Sequence, residues 1–185
     1  MLPLGHIAAG YLVSHTLLAT AHPPLTLSDQ QYIICWGVFF GFAPDLDTFF
    51  IFKRTKRFIG SDEIDHRKFY SHAPVIWLIA GLAVFLIAVL VGSLFFKYLG
   101  ILIWLCSWTH FVLDSIQQGI MWLWPWRKSK FALGKKDIKE GIISQKFLAY
   151  WINFLKFYIT KMKLSFYLEL LTVTIGFLVL INKFI

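Results

Sequence analysis

Residues 73–96 read APVIWLIAGLAVFLIAVLVGSLFF, 24 consecutive positions without a charged side chain. A helix needs about 20 apolar residues to cross the hydrocarbon layer of a bilayer. This stretch alone therefore marks an integral membrane protein. The whole composition agrees, with 58 % hydrophobic and 15 % charged residues. Soluble chains hold roughly half and a quarter. At 185 residues the chain is one domain's worth of sequence.

Working outward, Lys97-Tyr98-Leu99-Gly100 reads as a tight reversal, followed by a span over about 101–124. Upstream, residues 3–20 form an uncharged apolar helix with His6, Gly10 and Ser14 on one face and His15 pointing elsewhere. Small residues below His6 let another helix come close. His22-Pro23-Pro24 ends it, and Ser28 with Gln31 reads as a capping box opening a helix over 29–43. Pro44 marks its exit. Residues 142–159 carry apolar positions at helical spacing with Lys146, Asn153 and Lys156 between them, as in a helix lying in the headgroup layer. Residues 164–182 make a last span with one acid, Glu169. The expected fold is all-α, a polytopic membrane helix bundle of about five spans with an additional interfacial amphipathic helix. One integral membrane domain covers 1–185: a motif-bearing bundle over 1–120, a basic cytoplasmic loop and interfacial helix over 125–163, and the last span.

The net charge of +8 does not point to nucleic acid, because its distribution is that of a membrane protein. Of 18 Lys and Arg residues, six lie in 48–71 and ten in 125–163. Basic residues confined to segments between spans face the cytoplasm. Trp122, Trp124 and Trp126, followed by Arg127 and Lys128, look like an aromatic belt with its cationic anchor. Cys35 and Cys106 sit in apolar runs and read as small hydrophobes. The first basic residue is Lys53, so the first apolar segment lacks the charged start of a cleavable signal and is expected to stay.

Against this apolar background the polar residues stand out. Pro44-Asp45-Leu46-Asp47 and His66-Arg67-Lys68-Phe69-Tyr70-Ser71-His72 deliver two carboxylates and two imidazoles at the ends of membrane-length segments. His110 and Asp114 lie one helical turn apart on a single face. With both basic segments inside, the first helix starts inside at His6, the second ends inside at Asp45, and the fourth descends through His110 and Asp114. All the candidates then fall in the cytoplasmic half of one bundle. Asp114 lies eight residues before Trp122, on the order of 12 Å deeper at 1.5 Å per residue. A bare carboxylate there costs several kcal/mol, which a divalent cation or a water-filled cleft would offset. Taken singly, each residue has a bland account: a helix–helix hydrogen bond, an exit turn, a solvated loop. All of them together in one membrane half favour a shared metal site.

His6, Pro-Asp-Leu-Asp at 44–47, His-Arg and Ser-His within 66–72, and His110-x-x-x-Asp114 together resemble the membrane-bound metal-dependent hydrolase family. That family includes the LexA-regulated inner-membrane protein of enterobacteria. The resemblance spans residues 1–120 and implies the inner membrane as location. The order of His, Asp, His and His-x-x-x-Asp is also distantly similar to zinc-dependent phospholipases C.

Seven candidate ligands result: His6, Asp45, Asp47, His66, His72, His110 and Asp114. One tetrahedral catalytic zinc uses about three protein ligands plus water, so the set suffices for one or two ions, zinc or else manganese. Two would stand about 3.5–4 Å apart, with Asp45 or Asp114 as bridge. Arg67 suits a phosphate, its guanidinium matching that geometry bidentately. A histidine not used as ligand becomes the general acid, and His72 is carried in both roles. The expected reaction is hydrolysis of a phosphoester or other ester in a lipid or lipid-linked substrate at the cytoplasmic leaflet. The alternatives are a non-catalytic membrane protein, or an ion or proton pathway using the same cluster.

Overall fold

The computed structural model describes residues 2–48, 50, 53, 66–134 and 147–182; the side chains of His66, Phe147, Tyr150 and Trp151 lie outside that description. Among the described residues the regular structure is helical, with one isolated bridge between Ile120 and Phe131. We number the α-helices α1 (Pro3–Ala21), α2 (Leu27–Phe42), α3 (Pro74–Leu90), α4 (Leu94–Ser115), α5 (Phe147–Lys161) and α6 (Lys163–Ile181). Short 3₁₀ turns at Ala43–Leu46, His66–Lys68 and Tyr70–His72 carry the motif residues between α2 and α3. By length and composition α4 and α6 are each able to cross a membrane; α3, at 17 residues, is shorter. Of about five expected spans, two therefore meet that measure among the described residues.

Local chemistry explains the boundaries. Pro3 opens α1, where its missing N–H costs nothing. His22 closes α1 in the left-handed region (φ 42°), its N–H on the Leu18 carbonyl. The start of α2 corrects the capping reading: Thr26, not Ser28, is the cap. Its hydroxyl oxygen accepts the Asp29 N–H at 3.1 Å and its O–H donates to Asp29 Oδ2 at 2.8 Å. Thr-x-x-Asp does the same work two residues earlier, so Ser28 falls inside the helix.

The hairpin between α3 and α4 is also displaced from its expected position. The reversal occurs at Val91–Ser93, where Gly92 takes φ 70° and Ser93 caps α4. Lys97, Tyr98, Leu99 and Gly100 are all helical. Gly100 serves contact instead of turning: a Cβ there would lie 2.7 Å from the Gly81 carbonyl of α3. The helix α4 stops at Ser115 rather than near Trp124. The following segment folds back, giving the Leu133 and Gly134 N–H groups to the Ser115 and Ile116 carbonyls at the end of α4.

Helix α1 packs on α2, α3 on α4, α2 on α4, and α6 on α1. Leu18, Ile33, Leu99, Leu102, Ile103 and Cys106 form the apolar core between α1, α2 and α4. Toward the other end α1 and α2 touch through backbone: a Cβ at Gly10 would come within 2.3 Å of the Gly37 carbonyl, and one at Gly41 within 2.5 Å of the His6 carbonyl. Small residues below His6 do permit that approach, as their spacing on one face suggested. The α6 acid Glu169 is buried against the start of α1. It accepts N–H groups from Leu2 (3.0 Å) and Gly5 (3.2 Å), the latter shared with the Leu2 carbonyl (3.1 Å), at a helix start where donors lack the usual partners.

Gly41→Ala is expected to force α1 and α2 apart, because the obstructing atoms are backbone. The cost, about 1–3 kcal/mol for overpacking, would appear as a lower thermal midpoint of the detergent-solubilised protein. An unchanged midpoint would contradict the close backbone contact.

Candidate metal centre

Four structural elements deliver the site. His6 comes from the second turn of α1, Asp45 from the 3₁₀ turn closing α2, His72 from the 3₁₀ turn before α3, and His110 with Asp114 from α4. Each of these five residues is buried. One ligand atom from each of Asp45, His72, His110 and Asp114 lies within 4.8 Å of the others, a grouping able to surround a metal ion. Four of the seven expected ligands therefore converge in space.

The hydrogen bonds decide which atoms face the centre. His110 Nδ1 lies 2.9 Å from the Gly41 carbonyl. A carbonyl only accepts, so in neutral His110 the proton sits on Nδ1 and Nε2 carries a lone pair. That lone pair faces Asp45 Oδ1 at 3.6 Å and Asp114 Oδ2 at 3.9 Å, and Nε2 has no hydrogen-bond partner. An acceptor looking at two carboxylates inside an apolar bundle is repulsive unless a cation stands among them. This buried orphan is the observation that fits the residues to a metal.

His72 is held from its other side. Its Nδ1 lies 3.2 Å from Asp47 Oδ2, and Ser71 Oγ donates to the same oxygen at 2.6 Å. Its Nε2 points inward to Asp45 Oδ1 at 3.3 Å. Burial lowers the His72 pKa, but the hydrogen bonds to Asp45 and Asp47 outweigh it and push it up to about 9. A proton between two carboxylates there does the charge-balancing that a metal ion would do. Asp47 thus contacts the outer edge of the His72 ring and is outside the group of four, although sequence reasoning placed it among the ligands.

His6 stands to the side of the four, its ring stacked on His110 with centroids 3.8 Å apart. Its Nε2 is 3.3 Å from Asp114 Oδ1 and 4.0 Å from Asp45 Oδ2, and neither ring nitrogen has a hydrogen-bond partner. Arg67, expected at a phosphate, puts Nε 3.1 Å from Asp114 Oδ2 with 15 % of its side chain exposed. The backbone of His66 lies in the 3₁₀ turn, and its side chain is outside the described residues. Sequence reasoning missed the Gly41 carbonyl and the Ser71 hydroxyl as orienting groups. Ser71 was signalled by its place beside His72; a backbone carbonyl leaves no mark in a sequence.

Removing Arg67 should expose how much of the charge balance it carries. In metal-stripped protein, Arg67→Met deprives Asp114 of the guanidinium hydrogen-bonded to it, and breaking such a buried pair costs about 3–5 kcal/mol. Thermal unfolding in detergent would register the loss, and an unaltered midpoint would mean that the other groups around Asp114 balance it without Arg67.

Comparisons with curated proteins and with solved structures give no match. A family model described as YdjM inner membrane protein matches residues 1–184. That description names a membrane and no reaction, so it supports the membrane part of the expected resemblance and leaves hydrolysis aside. With the match running from the first residue to the last but one, this chain belongs to the YdjM inner membrane protein family.

Proposed function

We propose that the chain is a metal-dependent hydrolase of the inner membrane, acting on a phosphoester in a lipid or lipid-linked substrate. The observation that carries this reading is the His110 Nε2 lone pair turned toward two buried carboxylates. In the same reading α1–α4 and α6 traverse the bilayer and α5 lies along its surface. The basic segments, and with them the His/Asp end of the bundle, face the cytoplasm.

Each carboxylate divides its oxygens. Asp45 turns Oδ1 toward His72 and His110 and Oδ2 toward His6. Asp114 turns Oδ2 toward His110 and Oδ1 toward His6. This division supports two adjacent cation positions. His72, His110 and the carboxylate oxygens facing them would hold one ion, with Arg67 also on Asp114 Oδ2; His6 and the two remaining oxygens would hold the other. Nitrogen and carboxylate donors suit zinc, with manganese the alternative. Such ions lower the pKa of a bound water and polarise a phosphoryl oxygen.

The chain's own residues do the rest. Asp47 and Ser71 hold the outer edge of His72, and the Gly41 carbonyl fixes the tautomer of His110, the outer support that sets a ligand's direction and basicity. Asp47 is in this reading an orienting carboxylate. Arg67 stands at the rim of the centre, where its planar guanidinium suits two oxygens of a phosphoryl group. Exposed Lys68, Phe69 and Tyr70 follow it directly, a cationic and aromatic surface suited to the headgroup layer.

Metal analysis of purified, reconstituted protein tests this directly. About two equivalents of zinc or manganese are expected in the wild type, about one in His6→Ala, and essentially none in Asp45→Ala or His110→Ala. A panel of phosphomonoester and phosphodiester lipids should then show turnover that Arg67→Ala depresses by about a hundredfold, as for a charge-assisted contact to the reacting group. Wild-type protein that holds no metal would sink the hydrolase, and bound metal without turnover on any ester would favour a non-catalytic role.

A further inference from the structure

The mechanism above leaves Glu169 unused, yet it is a carboxylate buried in the middle of an apolar helix, where a charge is costly. Its oxygens are fully committed. Oε1 accepts the Gly5 N–H and Oε2 accepts both the Leu2 N–H and the Tyr158 hydroxyl. Burial and the adjacent carboxylate push the Tyr158 pKa far up, so that hydroxyl stays protonated and donates. The start of α1 adds its positive dipole end. Space is matched too, since a Cβ on Gly5 would come within 2.9 Å of Glu169 Cγ.

His6 is the next residue after Gly5. Its Nε2 faces Asp114 Oδ1 at 3.3 Å without hydrogen-bond geometry, and its Nδ1 has no hydrogen-bond partner, so no hydrogen bond of its own aims the ring. Its position comes from its backbone, from the stack on His110, from the ion-pair contact with Asp114 and from the contact of its carbonyl region with Gly41. The first of these is set by Glu169. A second tie runs from the other motif-bearing helix: Gln117, just past the end of α4, accepts the Ser165 N–H near the start of α6 at 3.1 Å. Helix α6 therefore grips the site-proximal ends of both α1 and α4.

From this geometry we infer that Glu169, with Tyr158, is a positioning clamp that registers α1 against α4 and so sets His6 in the metal centre. The C-terminal helix pair, which carries no ligand motif, is then an integral part of the site. The inference rests on the metal reading above and goes beyond it in assigning these residues a function.

Cobalt(II) binding to detergent-solubilised full-length protein tests it, read by affinity and by the visible absorption spectrum. Glu169→Ala is expected to weaken binding by about ten- to a hundredfold, the usual effect of losing an outer support, and to alter the spectrum. Glu169→Gln and Tyr158→Phe should give smaller losses, and both keep a folded reference if the alanine variant is unstable. The discriminating step repeats Glu169→Gln in a His6→Ala background, where a clamp acting through His6 loses its effect. Equal weakening in both backgrounds would mean general loosening of the bundle and would overturn the clamp, as would unchanged affinity and spectrum in all three single variants. Wild-type protein that binds no cobalt would instead remove the metal reading itself.

Discussion

Two buried carboxylates whose charge must be balanced inside an apolar bundle are the constraint on which this structure turns. Asp45 and Asp114 are buried within reach of three imidazoles and a single described guanidinium, that of Arg67. In an apolar surrounding such charges are tolerated only when paired and hydrogen-bonded. The arrangement pairs them in layers: Arg67 with Asp114, His72 with both Asp45 and Asp47, and His110 turned by the Gly41 carbonyl to offer a lone pair. A helix bundle built only for stability would have less costly choices at every one of these positions. The proposed metal would account for them together.

The glycines of α1 and α2 are part of the same constraint. Backbone contact at Gly10, Gly37 and Gly41 brings the end of α2 against the start of α1. Only at that separation can one residue, Gly41, touch the His6 backbone and also present its carbonyl to the His110 ring. The His6–His110 stack depends on the same approach. Packing and site chemistry are therefore not separable here, since a methyl group added at Gly41 would disturb both.

What was legible in the sequence follows from which signals are local. The shared face of His6, Gly10 and Ser14 could be read from helical spacing, and all three are buried. The clustering of Asp45, His72, His110 and Asp114 could be read from charge bias combined with span order. The turn between α3 and α4 could not be placed from charge, because the uncharged stretch continues unbroken through it. Gly92 and Ser93 carried the information in their φ and capping preferences, and Lys97 drew attention away from them by being charged. The direction of Asp47 was equally hidden, for a Pro-Asp-x-Asp pair does not say which carboxylate faces inward. Glu169 was conspicuous as a lone acid in a span, but two of its partners, Leu2 and Gly5, lie over 160 residues away at the opposite end of the chain.

A structural metal site and a catalytic one make different demands, and the surplus of ligands bears on the choice. A structural ion is closed by four protein donors. Here four donors converge, and His6 remains beside them with a ring nitrogen aimed at oxygens the four do not use. Arg67 and Asp47 ring the centre on the side of the 66–72 segment, each with part of its side chain exposed. A site needed only to pin the helices would gain nothing from an extra unsatisfied imidazole, whose burial costs free energy. The proposed hydrolase would use it, because a substrate or water must find a group not already committed. That uncommitted ring nitrogen, more than the number of histidines, is what the proposal of turnover draws on.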